Sequence, residues 1–245
     1  YISMIIPSRW FSGGKGLDEF RDEMLRDKKL SRIVDYFDSN ECFPGVDISG
    51  GICYFLWSNK TAKECVIETV RGGIKSSMQR NLLEDNCDTF IRFNEAVTIY
   101  RKVTLKNKSE VGFDTLVSTR KPFGLSTNVT SVKNKKNESF VKIYSFSNDG
   151  YIDRDLIETN INWVNKYKVF ISYAYGERGG FPYLVLGKPF LGEQGTCCSE
   201  SYLVIGPFTS KRKCANVMSY MKTKFFRFLV LLKKNTQHAT SKVYS

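Results

Sequence analysis

The chain reads as an α/β protein, with an open sheet at its beginning and a second domain of mixed strands and helix after it. Two observations predict this. Between residues 3 and 57, short apolar runs alternate with a glycine-rich loop and a helical repeat, in the order strand, helix, strand, loop, strand. The charge is also unevenly placed: residues 1–58 hold 7 Lys/Arg and 9 Asp/Glu, residues 59–245 hold 30 and 16. At 245 residues and 42% hydrophobic content the chain is long enough to bury a sizeable core and to form two domains.

Taken in order, Ser3-Met4-Ile5-Ile6-Pro7 reads as a short buried strand. Gly13-Gly14-Lys15-Gly16 reads as a turn into a helix on which Leu17, Phe20, Met24 and Leu25 recur at helical spacing. Leu30, Ile33 and Val34 lead a second strand into Asp35-Tyr36-Phe37. Ile52 to Trp57 is almost wholly apolar, as suits a strand buried on both faces. Between them lies Cys42-Phe43-Pro44-Gly45. Pro44 restricts Phe43 to extended backbone, and Gly45 permits a tight bend, so the loop presents an aromatic ring at the end of a rigid strand. Such a ring is suited to stacking on a base; an ordinary core phenylalanine is the alternative. Cys65 to Val70 reads as a further strand, residues 72–88 as polar and without clear assignment, and Phe90 to Phe93 as a short strand. Asn94 can cap a helix carrying Ala96, Val97, Tyr100 and Val103 on one side, a connector to a second domain beginning near Val111.

The stretches MIIPSRWFSGGKGLDEFRDEML and RIVDYFDSNECFPGVDISGGICYFLW resemble the adenine-specific DNA methyltransferases of restriction–modification systems, the gamma-class amino-methyltransferases. FDTLVSTRKPFGL, WVNKYKVFISYAYGERGG and SYMKTKFFRFLVLLKKNTQHAT resemble pieces of that family's target recognition domain. The resemblance implies that residues 1–110 are the C-terminal part of a Rossmann-like methyltransferase sheet with a connector. Residues 111–245 are then an α+β target recognition domain. It implies that Phe43, followed by Pro44, stacks on an adenine flipped out of the duplex, that double-stranded DNA is the partner, and that the intact enzyme uses S-adenosylmethionine. The family's catalytic tetrapeptide Asn-Pro-Pro-Tyr is not found, since none of the six prolines is followed by another. No GxGxxG loop for the cofactor is found either. The expectation is a C-terminal fragment whose N-terminal catalytic half is missing, inactive alone and binding no cofactor.

The second domain offers three loops for DNA contact. Ser118 to Gly124 joins Arg120 and Lys121 to hydroxyls and a rigid turn; Tyr173 to Gly180 holds Tyr175 and Arg178, and an arginine there can read guanine bidentately; Thr196 to Tyr202 is the third. The tail from Thr209 to Ser245 holds nine basic residues and no acidic one. A final helix capped by Thr209 or Ser210 carries a buried stripe of Val217, Met221, Phe225, Phe228 and Leu232. Lys222, Lys224 and Arg227, with Gln237 and His238 beyond them, are then available to DNA. His238 is the chain's one histidine and has no acid or metal partner in the tail, which argues against general-base chemistry. Such a basic excess suits a polyanion; a solvated surface is the alternative.

Seven cysteines without CxxC spacing argue against a zinc site or a disulfide framework and fit a reducing cytoplasm. The longest apolar run, Phe225 to Leu232, is interrupted by Arg227 and is too short to span a membrane. Against the methyltransferase fragment stand a specificity subunit or binding module without catalysis, and part of a fused restriction endonuclease-methylase. No Asp/Glu and Lys cluster at nuclease spacing supports the nuclease itself.

Overall fold

The computed structural model describes residues 1–11, 16–85, 87–106, 111–146, 149–176, 184–234 and 237–244. It is a mixed α/β structure with three sheets, divided into two compact units. Tyr1–Glu110 and Leu232–Thr236 form the first; Val111–Leu231 and Gln237–Ser245 form the second.

The first unit is built on five strands: β1 (Ile2–Pro7), β2 (Leu30–Tyr36), β3 (Ile52–Trp57), β4 (Cys65–Arg71) and β5 (Ile74–Arg80). Their order is β1-β3-β2-β4-β5. β3 lies between β1 and β2 and is antiparallel to both, while β2 and β4 are parallel. Helix α1 (Asp18–Arg26) connects β1 to β2. Asp18 and Glu19 favour its N-terminus, and Met24 and Leu25 pack with Trp10, Phe11, Ile33 and Phe55 in the core. The segment 72–88, left unassigned by its polar composition, supplies β5, joined to β4 by a two-residue turn. Gly72 and Gly73 take φ of 58° and 75° there, as the primed hairpin turn demands.

Three local expectations are corrected in this unit. β1 is not buried: Ile2, Met4 and Ile5 are about half exposed, because among the described residues the strand is an edge paired to β3 alone. Phe90 to Phe93 is not a strand. Phe90 and Ile91 are buried, but among the described residues no ladder forms there. Helix α2 (Asn94–Lys106) begins where expected, yet Asn94 does not cap it. Its Oδ1 accepts from Arg80 Nε at 3.3 Å and its Nδ2 donates to Ile67 O at 3.0 Å. Arg80 and Ile67 sit on neighbouring strands, and their polar groups claim the amide first.

The second unit holds two three-stranded sheets. β6 (Phe140–Tyr144), β7 (Gly150–Asp153) and β10 (Thr196–Cys198) form one, in the order β10-β6-β7. β8 (Tyr167–Ser172), β9 (Phe190–Gly192) and β11 (Tyr202–Phe208) form the other, in the order β11-β8-β9. Alternation along β8 and β11 makes the second sheet serve two cores: Val169, Ile171, Leu203 and Ile205 enter one, Phe170 and Val204 the other. The expected long terminal helix is two helices, α3 (Lys211–Met221) and α4 (Lys224–Lys233). Ser210 accepts from Lys213 N at 3.4 Å and caps the first; Thr223 Oγ1 accepts from Phe226 N at 3.1 Å and starts the second. The break resets the helical phase, so Phe226 and Val230 are buried where Phe225 was expected to be, and Phe225 is 45% exposed.

Lys168 is fully buried, and its Nζ donates to the carbonyls of Trp163, Val164, Lys166 and Glu193 at 2.9–3.2 Å. Burial pushes it down to about 8 from 10.5. Burial pushes the thiols of Cys53, Cys65 and Cys197 up to about 12 from 9. All seven cysteines are free thiols in the structure. Above about pH 9 the unfolded chain sheds thiol protons that the fold keeps, so these cysteines lower stability as pH rises. Lys168 acts oppositely, since between about 8 and 10.5 the unfolded chain binds the proton the fold has released. Each group contributes at most about 1.36 kcal/mol per pH unit. Burial also raises Cys198 and Cys214 and lowers Lys234 to about 8, so five thiols stand against two lysines and the fall prevails. Urea midpoints should therefore fall between pH 9 and 10, and Lys168→Met should steepen the fall; a rise would contradict it.

Candidate nucleic-acid interface

The loop between β2 and β3 is shaped by its own hydrogen bonds. A 3₁₀ turn at Ser39–Glu41 is capped by Asp38, whose carboxylate accepts from Asn40 N at 2.9 Å. The amides of Cys42 and Phe43 both donate to Ser39 O, at 3.1 and 2.8 Å, and Val46 N donates to Phe43 O at 3.1 Å. Asn40 Oδ1 accepts from Gly45 N at 2.7 Å, and Ser39 Oγ accepts from Ile48 N at 2.9 Å. Gly45 takes φ of 85°, which only glycine adopts without strain. Held this way, Phe43 is 41% exposed and Pro44 beside it is exposed too, so the ring is not a core side chain.

The root of the loop is fixed by a buried ion pair that sequence reasoning missed. Asp35 on β2 is fully buried and accepts from Arg92 Nε and Nη2, both at 2.7 Å, and from Ser8 Oγ at 2.7 Å. Arg92 Nη1 donates to Gly50 O at 2.8 Å, and the guanidinium lies 4.1 Å from the centre of the Phe37 ring. At Gly51 an added Cβ would stand 2.0 Å from Tyr36 O, so glycine is required for the chain to pass β2. The sequence signal was an aspartate inside an apolar strand, a position where a charge survives only with a partner.

In the second unit the expected residues that the structure describes fall in two places. Arg120, Lys121, Tyr175, Gln237 and His238 gather around the end of β8. Phe123 is fully buried and anchors the 118–124 turn, leaving Arg120 and Lys121 exposed. Arg120 Nη2 lies 2.9 Å from Glu200 Oε2 and its guanidinium 5.1 Å from the Tyr173 ring centre; Lys121 Nζ is 3.8 Å from the same carboxylate oxygen. Gln237 to Ala239 run antiparallel to Tyr173 to Tyr175, with Tyr175 N donating to Gln237 O and Ala239 N to Tyr173 O, both at 2.8 Å. The Tyr173 and His238 rings lie 5.1 Å apart, and Gln237 and His238 are exposed. Lys222 and Lys224 stand exposed where α3 gives way to α4, and Arg227 one turn on is partly buried. Arg178 lies outside the described residues.

The third expected loop is corrected. Thr196–Cys198 is the buried strand β10, paired in parallel with β6, and Ser199 is fully buried. Its contribution is Glu200, not recognised in the sequence, which holds Arg120 and Lys121.

Among the described residues no group of three His, Cys, Asp or Glu can hold a metal, and no helix is long and apolar enough to cross a membrane. A cavity of about 280 Å³ in the first unit is lined by Leu25, Leu82, Arg26, Lys28, Lys63 and Glu64, among others. Three cations against one carboxylate do not suit a cationic sulfonium such as S-adenosylmethionine. No chemical step is assigned there.

Comparison with known proteins finds similarity both in sequence and in fold. Residues 1–43 match the family model of the Eco57I restriction-modification methylases. An uncharacterized adenine-specific methylase of Mycoplasma pneumoniae (strain ATCC 29342 / M129 / Subtype 1) is 32% identical over 103 residues, covering 42% of this chain and 24% of that protein. The chain thus spans about a quarter of the length of this curated relative. The fold is similar to that of the type IIL restriction-modification enzyme MmeI, solved in complex with DNA. The TM-score is 0.52 at 8% identity, covering 99% of this chain and 37% of that one. The type IIG restriction endonuclease BpuSI matches at a TM-score of 0.36 and 12% identity over 99% of this chain and 39% of its own, too weak to establish a shared fold. The resemblance to adenine-specific methylases of restriction–modification systems is therefore borne out.

Proposed function

We propose that this chain is part of an adenine-specific DNA methyltransferase of a restriction–modification system. On this reading residues 1–110 contribute the later strands of the catalytic sheet and the wall against which a flipped adenine stacks. Residues 111–245 read the DNA target. The observation that carries it is Phe43: it closes the stretch matched to the methylase family, and its ring is exposed on a self-bonded loop followed by proline. S-adenosylmethionine and the catalytic tetrapeptide belong, on this reading, to another part of the enzyme, and the chain alone transfers no methyl group. The DNA complex of MmeI supports DNA as the partner.

The charge supports the division of labour, with a shift from the sequence reading. By structural unit, the second carries 18 Lys/Arg and 9 Asp/Glu, a net of +9, while the first carries 19 and 16, a net of +3. Part of the excess is internally balanced, as at Arg120 and Lys121 on Glu200 and Lys211 on Glu193. The remaining cations should follow phosphates. Affinity for a DNA duplex should fall with salt, log K against log salt having a slope of about −0.9 per phosphate contacted. Removing Lys222 and Lys224 together should make the slope shallower by about 2 units of this kind. Fluorescence anisotropy between low and physiological salt measures both, and a flat dependence would sink the DNA-reading role of the second unit.

A further inference from the structure

Glu41 lies two residues before Phe43, and its carboxylate reaches an element more than thirty residues ahead. Its Oε1 accepts from Gly72 N and its Oε2 from Gly73 N, each at 2.9 Å. Gly72 and Gly73 are the turn between β4 and β5, and their positive φ angles direct both amides outward from the hairpin. One carboxylate thus satisfies two adjacent backbone donors that the turn itself leaves open, a charge-assisted pair stronger than neutral bonds. The neighbouring Asn40 takes Gly45 N on the far side of Phe43. Residues 40 and 41 therefore grip the loop on both flanks of the ring, one inward to the loop and one outward to the sheet. Glu41 is itself exposed, so nothing in core packing requires a carboxylate at this position.

We propose that Glu41 is a positioning residue: by clipping the loop to the β4–β5 turn it sets where the Phe43 ring stands for base capture. This rests on the reading that Phe43 stacks on an extruded base, and adds to it the group that fixes the ring's place. Stacking demands a well-placed ring, and a loop held at its root by the Arg92 bond to Gly50 O can still swing at its tip. The clip removes that swing by tying the loop to a hairpin that is part of the five-stranded sheet.

The test uses the full 245-residue chain with Glu41→Ala, Glu41→Gln and Phe43→Ala. Hydrogen exchange of the amides of residues 42, 43 and 45–48, Pro44 carrying none, reads the loop directly. Capture is read by 2-aminopurine fluorescence in a duplex carrying the probe opposite an abasic site, which lowers the cost of extrusion. Glu41→Ala should speed exchange at residues 42–48 by about tenfold and weaken capture by a similar factor. Duplex affinity and melting temperature should hardly change. Glu41→Gln keeps one acceptor oxygen and should fall between. If exchange at 42–48 is unchanged in Glu41→Ala while Phe43→Ala abolishes capture, the clip has no positioning role and the reading of Phe43 stands. If Phe43→Ala itself leaves capture intact, the reading of Phe43 fails and the role of Glu41 falls with it.

Discussion

Replacing Arg92 by methionine should destabilise the fold by about 3–5 kcal/mol, the usual cost of removing one partner from a buried ion pair. Asp35 would be left fully buried with only the Ser8 hydroxyl to answer its charge, where it now receives two guanidinium bonds at 2.7 Å. Gly50 O would lose its donor as well, so the loop bearing Phe43 would loosen at its root. Asp35→Asn with Arg92 intact should be destabilising for the mirror reason, stranding a guanidinium that is almost completely buried. Removing both charges, as Asp35→Leu with Arg92→Met, should recover much of the loss, because desolvation of the pair is then no longer required. Urea unfolding followed by the fluorescence of Trp10 and Trp57 measures each variant. A loss below about 1 kcal/mol for Arg92→Met would mean that the pair is already satisfied by solvent.

If the proposed function holds, Phe43→Ala in the intact enzyme should slow methyl transfer by roughly tenfold to a hundredfold. Stacking on an aromatic ring is worth roughly 1–3 kcal/mol per base, at 1.36 kcal/mol per decade of rate. The fold should suffer little, since the ring is already 41% exposed. Phe55→Ala gives the contrast: that ring is 4% exposed in the centre of the sheet core, and its removal should cost roughly 3–5 kcal/mol of stability. Fluorescence of 2-aminopurine at the target adenine, with melting curves in parallel, separates the two effects. A Phe43→Ala protein that flips and turns over normally but melts early would place the ring among structural side chains.

Local pattern alone determined a good part of the first unit. The apolar runs of β2, β3 and β4 and the periodic α1 are set by residues within a turn or two of one another, so they are legible one segment at a time. The Phe43 loop is legible for the same reason, because Pro44 and Gly45 act on their immediate neighbours. What only the tertiary structure decided are the partners. Asp35 and Arg92 are 57 residues apart and Glu41 and Gly72 are 31 apart, and no periodicity connects them. Glu200 finds Arg120, and His238 finds Tyr173, because β8 and β11 bring distant turns to one end of a sheet. β1 reads as buried and is exposed, since a strand's hydropathy says what it can bury and its place at the sheet edge says what covers it. The break between α3 and α4 follows the same division. Within the single helix that the sequence predicts, the Thr223 hydroxyl accepts from Phe226 N, and Phe226 rather than Phe225 is buried. Side-chain spacing along the chain specifies elements; the pairing of strands and the capture of buried charges specify which residues meet.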